Sequence, residues 1–197
     1  MILIPTVADI LRPGEKSQAL LYNILLILSG SIFIAMSAQI SIGGPVPFTM
    51  QTFAVLLVGA LFGPKLGSMS VGLYLLEGLA GWPVFSYWRS GLHMLLGPTG
   101  GYLVGFLAAA YVTGFLAQKG WDRRFSTTFL AMLVGNFLIY TFGLIRLTNL
   151  LGFKQALVIG LYPFIVGAVI KIVLAAALLP TGWKFLKYCG LLNKKDS

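Results

Sequence analysis

Long apolar stretches separated by short polar connectors dominate the chain, and no part of it alternates apolar and polar residues one by one. Charged residues, prolines and glycine clusters divide the chain into six apolar segments. These are residues 20–41, 49–62, 66–79, 101–118, 126–145 and 163–179. Hydrocarbon offers no partner to an unpaired backbone group, and no segment has the period of a barrel strand. The pattern therefore predicts an all-α integral membrane protein with six transmembrane helices.

The second and third segments are short for membrane helices. At ~1.5 Å per residue each covers ~21 Å, which is less than the ~30 Å hydrocarbon core. Either flanking apolar residues lengthen them, or they form a re-entrant hairpin that turns at Gly63, Pro64 and Lys65. Both alternatives return the chain to the same side of the membrane. A single helical bundle over residues 1–197 is expected in either case.

Composition agrees with a membrane protein and excludes a water-soluble domain. Hydrophobic residues make up 58% of the chain and charged residues 10%, against ~45–50% and ~25% in soluble domains. The 14 basic residues outnumber the 5 acidic ones, but they lie in connectors and at the two ends. No basic stripe interleaved with aromatic residues follows any segment, so nucleic acid is not an expected partner.

The basic residues also predict the orientation of the chain in the membrane. With the N-terminus inside, ten Lys and Arg residues fall on the inner side and three on the outer side, Lys171 being left within a helix. The inner set is Arg12, Lys16, Lys65, Lys119, Arg123, Arg124, Lys184, Lys187, Lys194 and Lys195, and the outer set is Arg89, Arg146 and Lys154. This bias predicts that both termini are cytoplasmic.

Small residues recur at every fourth position of the fourth segment. They are Gly101, Gly105, Ala109, Thr113 and Ala117. Small residues at this spacing let helix backbones approach closely, which is how helices pack where no hydrophobic effect acts between them. The pattern predicts close packing and says nothing specific about function.

Lys171 carries the strongest functional signal. A lysine at the centre of a membrane helix costs about 2.5–3.5 kcal/mol on insertion scales. If the last helix begins at Pro163, Lys171 lies ~12 Å from the outer entrance, at ~1.5 Å per residue. One interpretation is a lysine that snorkels or meets a backbone carbonyl. The functional interpretation is a cation in an outward-facing pocket that binds an anionic or carbonyl-bearing ligand.

Acidic residues within the apolar segments are scarce, and Glu77 is the exception. It could pair with Arg89 or Lys171, or contact a ligand. A membrane-embedded enzyme would need a nucleophile with a base, a metal cluster or paired acids, and the residues of the segments supply none of these. No enzyme activity, metal site or cofactor is therefore expected. A scaffold without a ligand is a further alternative. It would be favoured if mutation of Lys171 and Arg89 changed no small-molecule binding.

The outer connector, residues 80–96, is rich in aromatic residues. Trp82 and Phe85 lie in it together with Arg89. They could form an interfacial aromatic belt, or a lid in which rings cover a small ligand and Arg89 binds a carboxylate. Asn136 and Tyr140, one turn apart in the fifth segment, could bind a polar ligand ring or make hydrogen bonds between helices.

Three stretches of the chain resemble a known family. Residues 44–52 (GPVPFTMQT), 97–106 (GPTGGYLVGF) and 135–140 (GNFLIY) are similar to the BioY family, the biotin-binding substrate-capture (S) components of energy-coupling-factor (ECF) transporters. The resemblance covers residues 20–180. It implies six membrane helices and a biotin pocket near the outer surface, closed by the loops after the first and third helices. It adds Phe48, Gln51 and Tyr102, which lie in these stretches, to the candidate ligand-binding residues.

One position departs from the family pattern. The last helix of the family usually carries Gly-Asp-x-x-Lys, and the matching residues here run from Gly167 through Ala168 to Lys171. The lysine is kept, and alanine replaces the aspartate. An acceptor for the ureido N–H groups of biotin is lost, so Glu77 or Asn136 is expected to take its place.

The resemblance also implies partner proteins. Family members dock on a transmembrane coupling subunit, which works with two ATPase subunits, through an Ala-x-x-x-Ala pattern on the first helix. The nearest match here is Ser31 and Ala35, followed by Ala38. The chain has no phosphate-binding loop of its own, so ATP is expected to be used by the partners. Biotin uptake across a prokaryotic cell membrane is the predicted function. The alternatives are uptake of another small carboxylate-bearing vitamin and transport without the ATPase module.

Overall fold

The computed structural model describes residues 4–190, so Lys194 and Lys195 of the inner-side count lie outside the described residues. The helices are α1 Val7–Ile10, α2 Lys16–Gln39, α3 Gln51–Leu79, α4 Leu92–Leu96, α5 Gly100–Ala117, α6 Phe125–Leu151, α7 Phe153–Gly160 and α8 Ile165–Tyr188. Two short strands, β1 Ser41–Ile42 and β2 Phe48–Thr49, pair antiparallel. Single 3₁₀ turns cover Ser86–Trp88 and Tyr162–Phe164. By length and composition, five helical stretches of the described chain could cross a membrane: α2, α3, α5, α6 and Phe153–Tyr188.

The long helix α3 reverses direction at Gly63. Gln51 Nε2 donates to the hydroxyl of Tyr74 at 2.5 Å, although a straight helix would separate the two residues by ~35 Å at ~1.5 Å per residue. A Cβ on Gly67 would lie 2.8 Å from the Cα of Gly59. The helix is therefore a hairpin of two antiparallel arms, α3a (residues 51–62) and α3b (residues 64–79). The turn at Gly63 and Pro64 is the one that the sequence indicated between the second and third segments.

The elbow of this hairpin follows from two adjacent residues. Gly63 has φ 81° and ψ 176°, a left-handed conformation that glycine adopts without a Cβ clash. Pro64 follows at the first turn of α3b, where its missing N–H would have no helical partner in any case. Gly114 of α5 packs directly on the elbow, because a Cβ there would lie 2.5 Å from the Gly63 carbonyl carbon.

The arms and helices pack as a bundle in which α5 lies between α3 and α6, α2 packs on α3, and α8 packs on α6. The small residues of α5 lie at a close helix contact, as their spacing predicted. A Cβ on Gly101 would overlap the backbone carbonyl of Phe142, and one on Gly105 would lie 3.1 Å from the Cα of Ile139. Close approach of α5 and α6 is thus confirmed.

Some elements extend or add to the predicted segments. Helix α6 continues beyond residue 145 to Leu151, and α8 continues beyond residue 179 to Tyr188. The short α1, α4 and α7 and the β1–β2 pair have no counterpart in the prediction. The strands are too short to show a period of two, and Lys154 and Gln155 interrupt the apolar pattern of α7.

Two loops lie over one end of the bundle, which we name the roof end. The first roof loop is residues 40–50, and the second is residues 80–91. The opposite end holds the α3 elbow, the α5–α6 loop and the residues before α1.

At the elbow end the carboxylate of Asp122 lies in the α5–α6 loop with 2% of its surface exposed. Its Oδ2 accepts from Trp183 Nε1 on α8 at 2.6 Å. Burial raises the pKa of Asp122 to about 6, and the Trp183 hydrogen bond and Arg123 offset part of that rise. Arg123 lies 4.0 Å over the Trp183 ring and donates to the Pro5 carbonyl at 3.2 Å. These contacts join α8, the loop and the N-terminal residues.

Candidate ligand-binding site

A cavity lies beneath the two roof loops. It is lined by Val46, Pro47, Thr49, Gln51, Thr52, Phe85, Ser86, Met94, Thr99, Tyr102, Leu103, Phe106, Tyr140, Phe164 and Lys171. Rings and aliphatic groups form most of the wall, and hydroxyl and amide groups interrupt it. Lys171 is the one charged residue among these lining residues. Apolar walls with a few placed polar groups are typical of small-molecule sites.

Lys171 reaches the cavity from α8 and is 8% exposed. Its ammonium donates to the backbone carbonyl of Thr49 and lies 3.3 Å from Thr52 Oγ1. It also lies 4.0 Å over the ring of Phe48, a favourable cation–π position. The carbonyl contact of the structural interpretation is therefore present, and the lysine lines the cavity as well. Since an ammonium has three donors, one remains for a ligand.

Phe48 flanks Lys171 and braces it. Its ring stacks on Phe164 with centroids 6.3 Å apart. The ring lies against Gly167 of α8, where an added Cβ would overlap it. Phe48 therefore acts on the cavity through Lys171 and Phe164.

Gln51 begins α3 and belongs to a buried polar network. In addition to its bond to Tyr74, its Oε1 accepts from Thr49 Oγ1 at 3.1 Å, and its backbone N–H donates to the same hydroxyl at 3.3 Å. Gln51 is 6% exposed and Tyr74 is fully buried. The network fixes Thr49, whose carbonyl holds Lys171.

Phe85 and Ser86 form the part of the second roof loop that faces the cavity, and they are 1% and 4% exposed. The Phe85 ring meets Tyr74 edge-on with centroids 5.4 Å apart. It lies directly on Gly78, where an added Cβ would overlap the ring. Phe85 is therefore a lining residue of the cavity.

Tyr102, Tyr140 and Phe164 form an aromatic wall. The Tyr102 hydroxyl donates to the Gly160 carbonyl at 2.8 Å, which fixes the ring between α5 and α7. Tyr140 meets Tyr102 edge-on at 6.3 Å and lies 6.5 Å from Phe164. Both predicted tyrosines therefore line the cavity.

Arg89, the expected carboxylate binder of the lid interpretation, is not among the residues that line the cavity. Its side chain is exposed and lies 5.5 Å from the Tyr87 ring. Its backbone carbonyl accepts from the Phe85 N–H at 3.0 Å. This tight turn directs Phe85 inward and leaves the guanidinium on the outer surface.

Glu77 and Trp82 also lie away from the cavity. Glu77 accepts from Ser31 Oγ at 2.5 Å. The ion pair with Arg89 or Lys171 that the sequence suggested is therefore not formed among the described residues. Trp82 is 61% exposed. Both line a separate apolar groove between α2 and the outer side of the second roof loop. Glu77 therefore cannot supply the missing acceptor inside the cavity.

Asn136 lies beneath the cavity. It is 4% exposed, and its Nδ2 donates to the Met132 carbonyl at 3.1 Å. With Phe53 and Ile172 it encloses a small crevice against Lys171. Its Oδ1 has no hydrogen-bond partner among residues 4–190. Asn136 therefore borders the same crevice as Lys171 and is not among the residues that line the cavity.

The residues predicted to dock a coupling subunit are mostly internal. Ser31 and Ala38 have no exposed surface, and Ala35 is partly exposed. The small residues let α2 approach α3, where Ser31 meets Glu77. Ser31 and Ala38 therefore serve packing within the bundle and present no docking surface here.

Several lining residues went unnamed in the sequence prediction. Thr52 and Thr99 lie within the stretches that carried the family resemblance, so those stretches already contained the signal. Ser86 lies in a loop without a motif. Gln39, at the end of α2, contacts the second roof loop, and no periodicity indicated this.

Comparison with known proteins identifies the family. The sequence model of the BioY family matches residues 14–188. The chain belongs to the BioY family. Relatives include the probable biotin transporter BioY of Pyrococcus horikoshii, 39% identical over 145 residues that cover 72% of this chain and 85% of that protein. The biotin transporter BioY of Thermotoga maritima is 40% identical, with 73% and 85% covered. That of Rhizobium etli is 38% identical, with 79% and 89% covered.

A solved structure also resembles this BioY family member. It is the S-component for biotin from an ECF-type ABC transporter, with a TM-score of 0.75 and 27% identity. The match covers 87% of this chain and 95% of that one. The helical bundle is therefore a known fold, and the sequence relatives are named as transporters.

Proposed function

We propose that this protein binds biotin at the outer face of a prokaryotic cell membrane and takes part in its uptake as the S component of an ECF-type transporter. The names of its relatives support this function. The observation that carries it is the cavity itself, in which one ammonium faces an otherwise apolar and hydroxyl-lined space. Biotin has a matching chemistry, because it is mostly apolar and carries one ureido ring at one end and one carboxylate at the other.

Lys171 is the residue that binds an oxygen of biotin. Thr49 and Thr52 hold its ammonium, so it is fixed before the ligand arrives. Pre-ordering of this kind reduces the entropy that binding costs. The oxygen is either a carboxylate oxygen or the ureido carbonyl, since both accept hydrogen bonds.

Acceptors for the ureido N–H groups come from the cavity wall. Ala168 is buried and offers none, and Glu77 and Asn136 lie elsewhere. The hydroxyl oxygens of Thr52 and Thr99 line the cavity, and each has lone pairs that accept. These hydroxyls take the role that aspartate has in the family pattern.

In the membrane we place six crossing segments, counting α3a and α3b separately, with both termini in the cytoplasm. The roof end then faces outside. The excess of Lys and Arg on the elbow side and the common position of both roof loops at one end support this arrangement.

Energy for transport comes from partner subunits. We assign a transmembrane coupling subunit and two ATPase subunits as partners, with ATP used by the ATPases and no cofactor held by this chain. Because Ser31 and Ala38 are buried, docking falls to the lipid-facing side of α2 near Ala35, where Ile32 and Met36 are exposed.

Equilibrium binding of labelled biotin to the purified protein in detergent tests this function, with an unrelated vitamin as competitor. Binding that biotin displaces and the other vitamin does not would support the proposal. Absence of biotin binding, both alone and with partner subunits, would overturn it. Biotin methyl ester then distinguishes the oxygens: weaker binding of the ester assigns the carboxylate to Lys171, and equal binding assigns the ureido carbonyl.

A further inference from the structure

The second roof loop contains a tight turn with unfavourable backbone angles. Tyr87 has φ 60° and Trp88 has φ 57°, both in the left-handed region that non-glycine residues rarely adopt. Such a conformation persists where neighbouring groups hold it. The turn bears Phe85 and Ser86, which close the cavity from above. Whatever holds the turn therefore also holds the roof.

The side-chain amide of Gln39 holds this turn. Its Nε2 lies 3.3 Å from the Val84 carbonyl and 3.2 Å from the Phe85 carbonyl. Its Oε1 accepts from the backbone N–H of Trp88 at 3.0 Å. A primary amide combines two donors with an acceptor, so one side chain satisfies backbone groups on both sides of the turn. Gln39 is the last residue of α2 and joins the loop to that helix.

A second contact joins the two roof loops. The Tyr87 hydroxyl donates to the Gly43 carbonyl at 2.9 Å. Gly43 lies in the first roof loop, which contributes Val46, Pro47 and Thr49 to the cavity. The two ends of that loop meet directly after α2, since the Met50 N–H donates to the Ile40 carbonyl at 3.2 Å. Both loops are therefore joined at the end of α2, the first by the chain itself and the second by Gln39.

From these contacts we propose that Gln39 is a positioning residue for the ligand site. It keeps the second roof loop closed, and Tyr87 makes the two loops open together, so that release of ligand requires the Gln39 contacts to break. Gln39 does not line the cavity and acts through Phe85 and Ser86. The effect on ligand release rests on the proposed function, whereas the effect on the loop does not.

Gln39→Met tests the proposal, because methionine keeps the length of the side chain and removes the amide. Dissociation of labelled biotin after a chase with excess unlabelled biotin should become at least roughly 10-fold faster, as expected from the loss of the three hydrogen bonds between Gln39 and the second roof loop. The association rate constant and the melting temperature of the ligand-free protein should stay near the original values. Gln18→Met is the matched control, since Gln18 is an exposed glutamine on the same helix. Unchanged dissociation in Gln39→Met would overturn the proposal.

Tyr87→Phe provides a second variant that removes a single hydroxyl. It should also speed dissociation, with Tyr111→Phe as control, because Tyr111 is an exposed tyrosine on α5. If the loops open together, the fold-changes of Gln39→Met and Tyr87→Phe combine to less than their product. Fold-changes that multiply independently would show that the loops open separately.

Amide hydrogen exchange makes the test independent of the ligand. Gln39→Met should raise exchange at the Phe85 and Trp88 N–H groups and leave exchange in α5 unchanged. If the original protein bound no biotin, the proposed function would fail while this measurement still decided the role of Gln39. Equal protection of the two amides in both proteins would overturn that role.

Discussion

Replacement of Lys171 by methionine separates the binding role of this lysine from its structural role. Methionine keeps an unbranched apolar stem and removes the ammonium. The structure predicts opposite consequences for the two properties, because the charge is expensive to bury and useful to a ligand. Affinity for biotin should fall, while the stability of the fold should change little.

The size of each effect follows from the contacts of Lys171. A hydrogen bond to a charged group contributes about 1.5–3 kcal/mol, and 1.4 kcal/mol is a factor of about 10 in Kd. Biotin should therefore bind about 10- to 100-fold more weakly. In the folded protein the variant leaves the Thr49 carbonyl unpaired, a cost of about 1–3 kcal/mol. It also removes the desolvation cost of a buried ion, which is several kcal/mol. These terms oppose each other.

Isothermal titration or equilibrium binding of labelled biotin measures the affinity, and a thermal melt in the same detergent measures stability. We expect a melting temperature within about 5 °C of the original. Lys154→Met is the control, because Lys154 is exposed on α7. A Kd within threefold of the original, in a variant that is folded, would refute the assignment of Lys171 to the ligand.

Three further substitutions test the roof, the elbow end and the hairpin. Gly78→Ala places a methyl group in the Phe85 ring, so biotin affinity should fall at least fivefold in the binding assay; Gly72→Ala, where an added Cβ has 3.9 Å of clearance, should leave it unchanged. Burial raises the pKa of Asp122 from 3.8 to about 6, so the folded state retains a proton that the unfolded state releases. The stability gained from that proton is complete below pH ~4 and is lost as the pH rises through 6. Asp122→Asn should therefore increase the free energy of unfolding at pH 8 by at most about 3 kcal/mol, which a thermal melt detects as a higher melting temperature. At pH 4 the substitution should have no such effect. An equal shift of the melting temperature at both pH values would contradict this. Gly114→Ala presses a methyl group on the backbone of the α3 elbow and should lower stability by about 1–3 kcal/mol or prevent folding, measured as thermal stability and yield beside Gly72→Ala.

The parts of the structure that the sequence predicted well depend on local rules. A glycine followed by a proline between two short apolar segments predicted the elbow at Gly63, because each residue has a fixed conformational preference there. Small residues every fourth position predicted close packing of α5, and the structure shows that α6 is the helix that approaches this face. Lys171 stood out since a charge within an apolar helix requires a partner or a function.

The parts that the sequence did not predict depend on loop geometry. Arg89 is a plausible carboxylate binder by type, but the turn that ends at its carbonyl directs its side chain outward. Glu77 accepts a hydrogen bond from the uncharged side chain of Ser31, which lies on a neighbouring helix 46 residues earlier in the chain. The role of Gln39 depends on left-handed angles at Tyr87 and Trp88, which no hydrophobic pattern encodes.

Because α3 is a hairpin, the helices that face the membrane differ in length. At ~1.5 Å per residue α2 is ~36 Å long, whereas α3b is ~24 Å long, and α3b exposes Met69 and Leu76 to its surroundings. A bilayer with a ~30 Å core is too thick by ~6 Å on the α3b side. Hydrophobic mismatch of this kind costs fractions of a kcal/mol per Å, which a bilayer relieves by local thinning. Lipid acyl-chain length is therefore expected to influence how this protein tilts in the membrane, with short chains favoured along α3b and longer chains along α2.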